Sequence, residues 1–200
     1  MDQQPKPARK ALLYRLEPGS VKGDVIRSIL QEMGVETLEL TVSMLNQTLG
    51  ACFGLDGFSL NAAEYSGSAP QDDVLVMSGF DDDSFQELFR QIRAVKLPRI
   101  NLMAALTEHN RGWTMLALFG ELARERKVMA AWMRLQQTVK AADAMAAAQA
   151  ESGSQQAAED QQPFTDAYAA GQAILRSNEP PEVEVIEQAE FALKKFLPLQ

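Results

Sequence analysis

Four polar residues in a row, Glu108, His109, Asn110 and Arg111, sit between two apolar runs in LMAALTEHNRGWTMLALFGELARER, residues 102–126. His109 is the only histidine in the chain, and an imidazole titrates near neutral pH, so Glu108 or His109 could serve acid–base chemistry. The sequence puts no nucleophile and no metal partner beside His109. These four residues also fall where a strand's carboxyl end gives way to a helix. Open α/β sheets commonly bind ligands there, and the free amides of a helix start favour anions. Glu108, His109, Asn110 and Arg111 are therefore the ligand-binding candidates. The competing account is that they are solvated loop residues, with Asn110 suited to a turn.

Trp113 and Thr114 have structural readings. With Thr114 as N-cap, Trp113 precedes the cap and Leu118 is the fourth helical residue, the two positions of a hydrophobic staple. Ala117 stands where a capping box would have Glu or Gln, so half of that motif is missing.

Three other groups carry weaker chemistry. Asp81, Asp82 and Asp83 follow an apolar run directly and would suit Mg²⁺, but acids in a first helical turn are also favoured by capping and the helix dipole. Gly19, Lys22 and Gly23 in PGSVKGD offer flexible backbone and a cation, at a spacing that matches neither the P-loop nor the dinucleotide fingerprint. Cys52, the single cysteine, lies in an apolar run and reads as a small buried residue before it reads as a reactive thiol.

The elements that must hold these residues follow from periodicity. Residues 10–16 form a short apolar run, and 19–34 carry Val21, Val25, Ile29 and Leu30 at helical spacing, closed by Gly34. Residues 35–42 alternate like a strand, giving a first βαβ unit. A short helix is expected over 43–55 and a linker over 56–73. The pattern then repeats: a strand at 74–80, a helix at 81–96 with Phe85, Leu88, Phe89 and Ile92 on one face, and a strand at 100–108. The second unit resembles the first in pattern, with few identical residues aligned. The connection between the units is long enough for a helical crossover, so the expected core is an α/β, four-stranded, parallel sheet. The alternative is a ferredoxin-like α+β arrangement, which joins two βαβ units by an antiparallel pairing.

Residues 1–126 are thus assigned to an α/β domain and 127–200 to a helical arm and small helical bundle. Val128, Trp132, Leu135, Val139, Ala142 and Ala146 step alternately by four and three, the spacing of a seam that needs a partner helix. Residues 151–163 break the pattern. The segments 164–177 and 182–197, separated by NEPP, are expected to fold back on the seam. A second copy could cover it instead, so monomer and homodimer both stand.

Composition narrows the function classes. The chain has 200 residues, 46% of them apolar, and a formal net charge of -8. That charge argues against nucleic acid as a partner, since neutralising phosphates needs clustered Lys and Arg. No apolar run is long enough to span a membrane, and the start MDQQPKPARKALLYRL lacks the long apolar stretch of a signal peptide. A single cysteine rules out an internal disulfide and fits a reducing, cytoplasmic location. No metal set and no cofactor motif is present.

The order DVLVMSGFDDDSFQELFRQIR, then AALTEHNRGWTMLALFGELARER, resembles a bacterial domain-of-unknown-function family, numbered 3783. The resemblance covers roughly residues 72–126 and is weaker in the first unit. Its most specific parts are the strand followed by SGF and the run at Leu106, Thr107, Glu108, Asn110, Trp113 and Thr114. The family has no established activity, so the resemblance implies neither a catalytic residue nor a cofactor. The expectation from the residues is a non-enzymatic interaction or regulatory module, with a protein partner recruited through the helical region. The alternatives are a small-ligand or anion binder, using the loops after the first, third and fourth strands, and an enzyme using Glu108 or His109.

Overall fold

The most apolar segments of the chain lie at the centre of one sheet. In a computed structural model, which describes residues 8–151 and 158–197, the strands are β1 (Lys10–Tyr14), β2 (Glu36–Glu39), β3 (Val74–Ser78) and β4 (Leu102–Ala105), in the order β2-β1-β3-β4. The helices are α1 (Val21–Glu32), α2 (Leu49–Cys52), α3 (Asp82–Ala94), α4 (Met115–Glu151), α5 (Ala158–Leu175) and α6 (Val183–Lys194). Two compact units divide between Ala123 and Arg124.

In the first unit β1 pairs with β2 in parallel and β3 with β4 in parallel, as two βαβ units require. The central pair differs from the expected all-parallel sheet: β1 and β3 run antiparallel, with Leu12 opposite Val76. The reason lies between β2 and β3. A parallel crossover must carry the chain back along the sheet, and the only α-helix there, α2, has four residues, or about 6 Å of rise. Ahead of it, a 3₁₀ turn at Val42–Met44 overlaps the start of the 43–55 segment expected to be a short helix. The chain passes over the sheet, its Phe53 carbonyl accepting from the Lys10 side chain at the start of β1, and returns to the end where β1 finishes, where the Tyr14 hydroxyl donates to the Pro70 carbonyl, 3.0 Å away, just ahead of β3. The antiparallel joint of the ferredoxin-like alternative is present without its strand order. Each βαβ pair is adjacent rather than split.

Alternation along β1 and β3 divides two apolar layers. Ala11, Leu13, Leu75 and Met77 face α1 and α3, meeting Ile26, Ile29, Leu30 and Leu88. Leu12, Tyr14, Val74 and Val76 face the other way, toward Leu49 of α2 and Met115, Leu118 and Phe119 of α4. Successive strand residues point to opposite faces, so one register serves both layers.

This arrangement has a local two-fold axis between β1 and β3, exchanging the two βαβ units. The sequence carries the repeat past the strands. Leu40, Thr41, Thr48, Ala51, Phe53 and Gly54 recur as Leu106, Thr107, Thr114, Ala117, Phe119 and Gly120, each pair 66 positions apart. Just past β1 and β3, Arg15 (φ 54°) and Gly79 (φ 75°) both adopt left-handed backbone.

Local capping sets the helix bounds. Ser20 caps α1 by accepting from the Gly23 amide at 3.1 Å, and Gly34 (φ 67°) follows its end. Gly23 leaves no room for a side chain, because a Cβ there would press on the Leu16 and Glu17 carbonyl oxygens. Gly23→Ala is therefore expected to cost roughly 1–3 kcal/mol, as overpacking against backbone does. Urea unfolding of the variant should show a lower midpoint; an unchanged one would mean the α1 start shifts freely.

In the second unit Val128, Ala131, Leu135, Val139 and Ala142 of α4 are buried with Ile186 and Leu193 of α6, and Phe164, Tyr168 and Ile174 of α5 pack against them. Ala146, expected in the seam, is exposed. The expected break at 151–163 is shorter on its described side: residues 158–163 are helical, Pro163 included, and 152–157 lie outside the described residues. Gly171 lets α5 approach closely, since a Cβ there would stand 3.1 Å from Val139 and 3.5 Å from Leu135. Arg134 reaches Glu187 at 2.8 Å and the buried Glu190 at 3.2 Å, and Lys194 closes on Glu190 at 2.6 Å.

Candidate functional site

The loop between β4 and α4 is built around Asn110. This residue is only 9% exposed, and its Oδ1 accepts from the Thr107 amide at 2.8 Å while its Nδ2 donates to the Ala105 carbonyl at 2.9 Å. The Asn110 amide in turn donates to Thr107 Oγ1 at 3.2 Å. The side chain thus ties the loop to the end of the strand. Glu108, His109 and Arg111 are exposed, and His109 lies edge-on to Trp113, ring centres 5.2 Å apart. Trp113 is half-buried against the second apolar layer, which also contains Leu118. Of the four adjacent candidates, the structure turns one inward and leaves three on the surface.

The helix start has its own bonds. Thr114 Oγ1 accepts from the Ala117 amide at 3.1 Å and its carbonyl accepts from the Leu118 amide at 3.0 Å. The Met115 amide donates to the Gln47 carbonyl and the Leu116 amide to the Leu45 carbonyl, both at 2.9 Å. The amides that would favour an anion if free are thus taken up by the protein's own acceptors.

The partner loop returns the same bonds. The Leu49 amide donates to the Trp113 carbonyl at 2.9 Å and the Gly50 amide to the Arg111 carbonyl at 2.8 Å, while Thr48 Oγ1 accepts from the Ala51 amide at 3.3 Å. Thr48 and Thr114 form an isolated antiparallel bridge with each other, on the two-fold. Arg111, Trp113 and Thr114 therefore belong to a seam that joins the two halves, and Thr48, Leu49 and Gly50 are its other side, whereas Thr107 bonds Asn110 within its own loop and the Leu106 amide bonds the Met77 carbonyl of β3. The repeated threonine, alanine, phenylalanine and glycine were the sequence signal for this seam, outside the βαβ pattern.

The two halves use their remaining positions differently. Gln47, the mate of Trp113, is buried and holds residue 61 through both amide atoms, at 2.9 Å to the Asn61 carbonyl and 2.6 Å from the Asn61 amide. It pins the long 56–73 segment, whereas Trp113 fills the core. The mate of Asn110 is Met44, whose side chain carries no amide to tie its loop to the strand end. Asn110→Ala would leave the Thr107 amide and the Ala105 carbonyl without this partner, and is expected to cost roughly 1–3 kcal/mol. Glu108→Ala should change the melting midpoint little; matching losses for the two variants would contradict this account of the loop.

The other candidates are similarly occupied. Asp81 caps α3, its Oδ1 accepting from the Ser84 amide at 3.0 Å, and Asp82 and Asp83 occupy the first turn. Lys22 pairs with Asp73 and donates to the Arg99 carbonyl; Asp73 Oδ1 also accepts from the Asn101 amide at 3.2 Å. Cys52 is half-buried, and desolvation pushes its thiol up to about 11, so it is overwhelmingly protonated at neutral pH and a poor nucleophile. Among the described residues, no three His, Cys, Asp or Glu side chains gather to hold a metal ion, and no helix is long and apolar enough to cross a membrane. Because β1 and β3 are antiparallel, the loop after β1 opens at the end of the sheet opposite the loops after β3 and β4.

Residues 73–129 match the model of a family described as Domain of unknown function (DUF3783). The matched segment begins just ahead of β3 and runs into α4, so it covers the second half of the two-fold repeat. No curated protein and no solved structure matches the chain.

Proposed function

We propose that the chain is a non-catalytic interaction module of the bacterial cytoplasm, an α/β platform with a three-helix bundle that recruits a protein partner. One observation carries this reading. The second unit buries a continuous apolar seam yet leaves Met129 and Met133, 54% and 57% exposed, one turn apart on α4. Methionine is unbranched and polarisable and fits irregular partner surfaces, and apolar side chains left exposed together mark contact sites. At the β4–α4 loop, the inward Asn110 and the occupied amides favour this reading over an anion binder or an enzyme. A photo-crosslinking amino acid at Met133 should give one discrete protein adduct in cells, and the same group at Glu17 in the first unit should not. A thermal-shift screen with nucleotides, inorganic anions and divalent metals tests the rivals: a ligand that clearly raises the melting temperature would overturn the proposal.

A further inference from the structure

In an acidic chain, residues 88–101 form one of several purely basic runs. Arg90, Arg93, Lys96 and Arg99 recur every third residue, and residues 88–101 contain no Asp or Glu. Arg90 is paired with Glu87 through two bonds of 2.8 and 2.6 Å, and Arg93 Nε donates to the Phe89 carbonyl at 3.1 Å. Lys96 and Arg99 are exposed, and no side-chain ion pair holds either among the described residues. The helix dipole accounts for a cation in the last turn of α3, which is Arg93. It does not account for Lys96, which sits past the helix end with φ 51°, where α1 and α2 are followed by Gly34 and Gly54 in the same left-handed region. A lysine there keeps a charge at the cost of backbone strain that glycine would avoid. Exposed apolar side chains flank the row: Phe89 and Val95 on its own segment.

The complementary run is in the same sequence. Residues 177–193 carry Glu179, Glu182, Glu184, Glu187 and Glu190 and no Lys or Arg. Glu187 and Glu190 are engaged by Arg134, whereas Glu179, Glu182 and Glu184 are exposed and no side-chain ion pair holds them among the described residues. Val185, 45% exposed, lies among them. We propose that the basic row Arg93, Lys96 and Arg99 of one copy docks on the acidic run Glu179, Glu182 and Glu184 at the start of α6 in a second copy. Three cations then meet three carboxylates, with Phe89 and Val95 offered to Val185. Local complementarity decides such a contact. Charge–charge interactions are screened beyond about 8 Å at physiological ionic strength, so the overall negative charge weighs less than the facing side chains.

Sedimentation velocity on the full chain tests this. The weight-average sedimentation coefficient should rise with concentration at low salt and stop rising at about 0.5 M salt. R93E/K96E and E182K/E184K should each weaken association by at least about tenfold, because like charges then face each other. An equimolar mixture of the two should associate again, since each reversed row meets an oppositely reversed one. That recovery also excludes misfolding as the cause of the losses. A wild-type chain that stays monomeric at all concentrations overturns the proposal. So does association that survives both reversals, or a mixture that fails to recover.

Discussion

Ending the chain after Ala150 is expected to leave a protein that aggregates or associates even at about 0.5 M salt, where the full-length chain should sediment as one species. The truncation removes α5 and α6, which cover α4 along Val128, Leu135, Val139 and Ala142, none more than 6% exposed in the full chain. At roughly 1.5–3 kcal/mol for each large apolar side chain buried, uncovering the two valines and the leucine alone forfeits on the order of 5 kcal/mol. A helix with that stripe open to water is a patch monomers rarely tolerate. Sedimentation velocity and light scattering on the two chains read the outcome directly, and unchanged size and solubility after truncation would defeat the intramolecular cover. A subtler variant keeps all three helices. Gly171→Leu inserts a side chain where a Cβ alone would already stand 3.1 Å from Val139, and should destabilise the second unit while the first keeps its melting transition.

Trp113→Ala is expected to cost about 3 kcal/mol, the lower end for an aromatic-to-alanine change because the indole is half-buried. His109→Ala, which removes only an exposed ring lying against that indole, should stay within about 0.5 kcal/mol. Trp113 sits at the junction of the two halves: its ring fills the layer under Met115, Leu118 and Phe119, and its carbonyl accepts the Leu49 amide across the two-fold. Alanine keeps the backbone bond and removes the packing, so the loss reports the ring. Urea melts of the two variants give the comparison. Equal midpoints would mean the loop is held by its hydrogen bonds alone and that the staple of Trp113 and Leu118 contributes little.

Several features were already legible in the residues. Short apolar runs marked β1 and β3 as strands, and the spacing of Phe85, Leu88 and Ile92 marked the inner face of α3, because burial by one face leaves a period in the sequence. Gly34 after α1 and Thr114 before α4 marked helix ends, because unpaired terminal carbonyls and amides select particular residue types. The seam from Val128 to Ala142 implied a covering helix for the same reason a single apolar stripe always does. Asn110 was readable as a turn residue, although nothing local distinguished a buried anchor from a solvated one.

What only the tertiary structure decided is the direction of the second half of the sheet, and with it the place of the loop. Parallel and antiparallel pairing of β1 and β3 bury the same alternating side chains, so the apolar pattern is silent between them. The choice falls to a connection whose one α-helix is a single turn. Once that pairing is antiparallel, the two βαβ units stand about a two-fold, and the threonines at 48 and 114 meet on it. The sequence carried both threonines and the residues repeated around them. Their surroundings, in which the helix-start amides of each half pair with carbonyls of the other, depend on contacts between positions 61 to 71 residues apart, Gly50 to Arg111 and Leu45 to Leu116 being the extremes, which no local pattern of charge or hydrophobicity encodes.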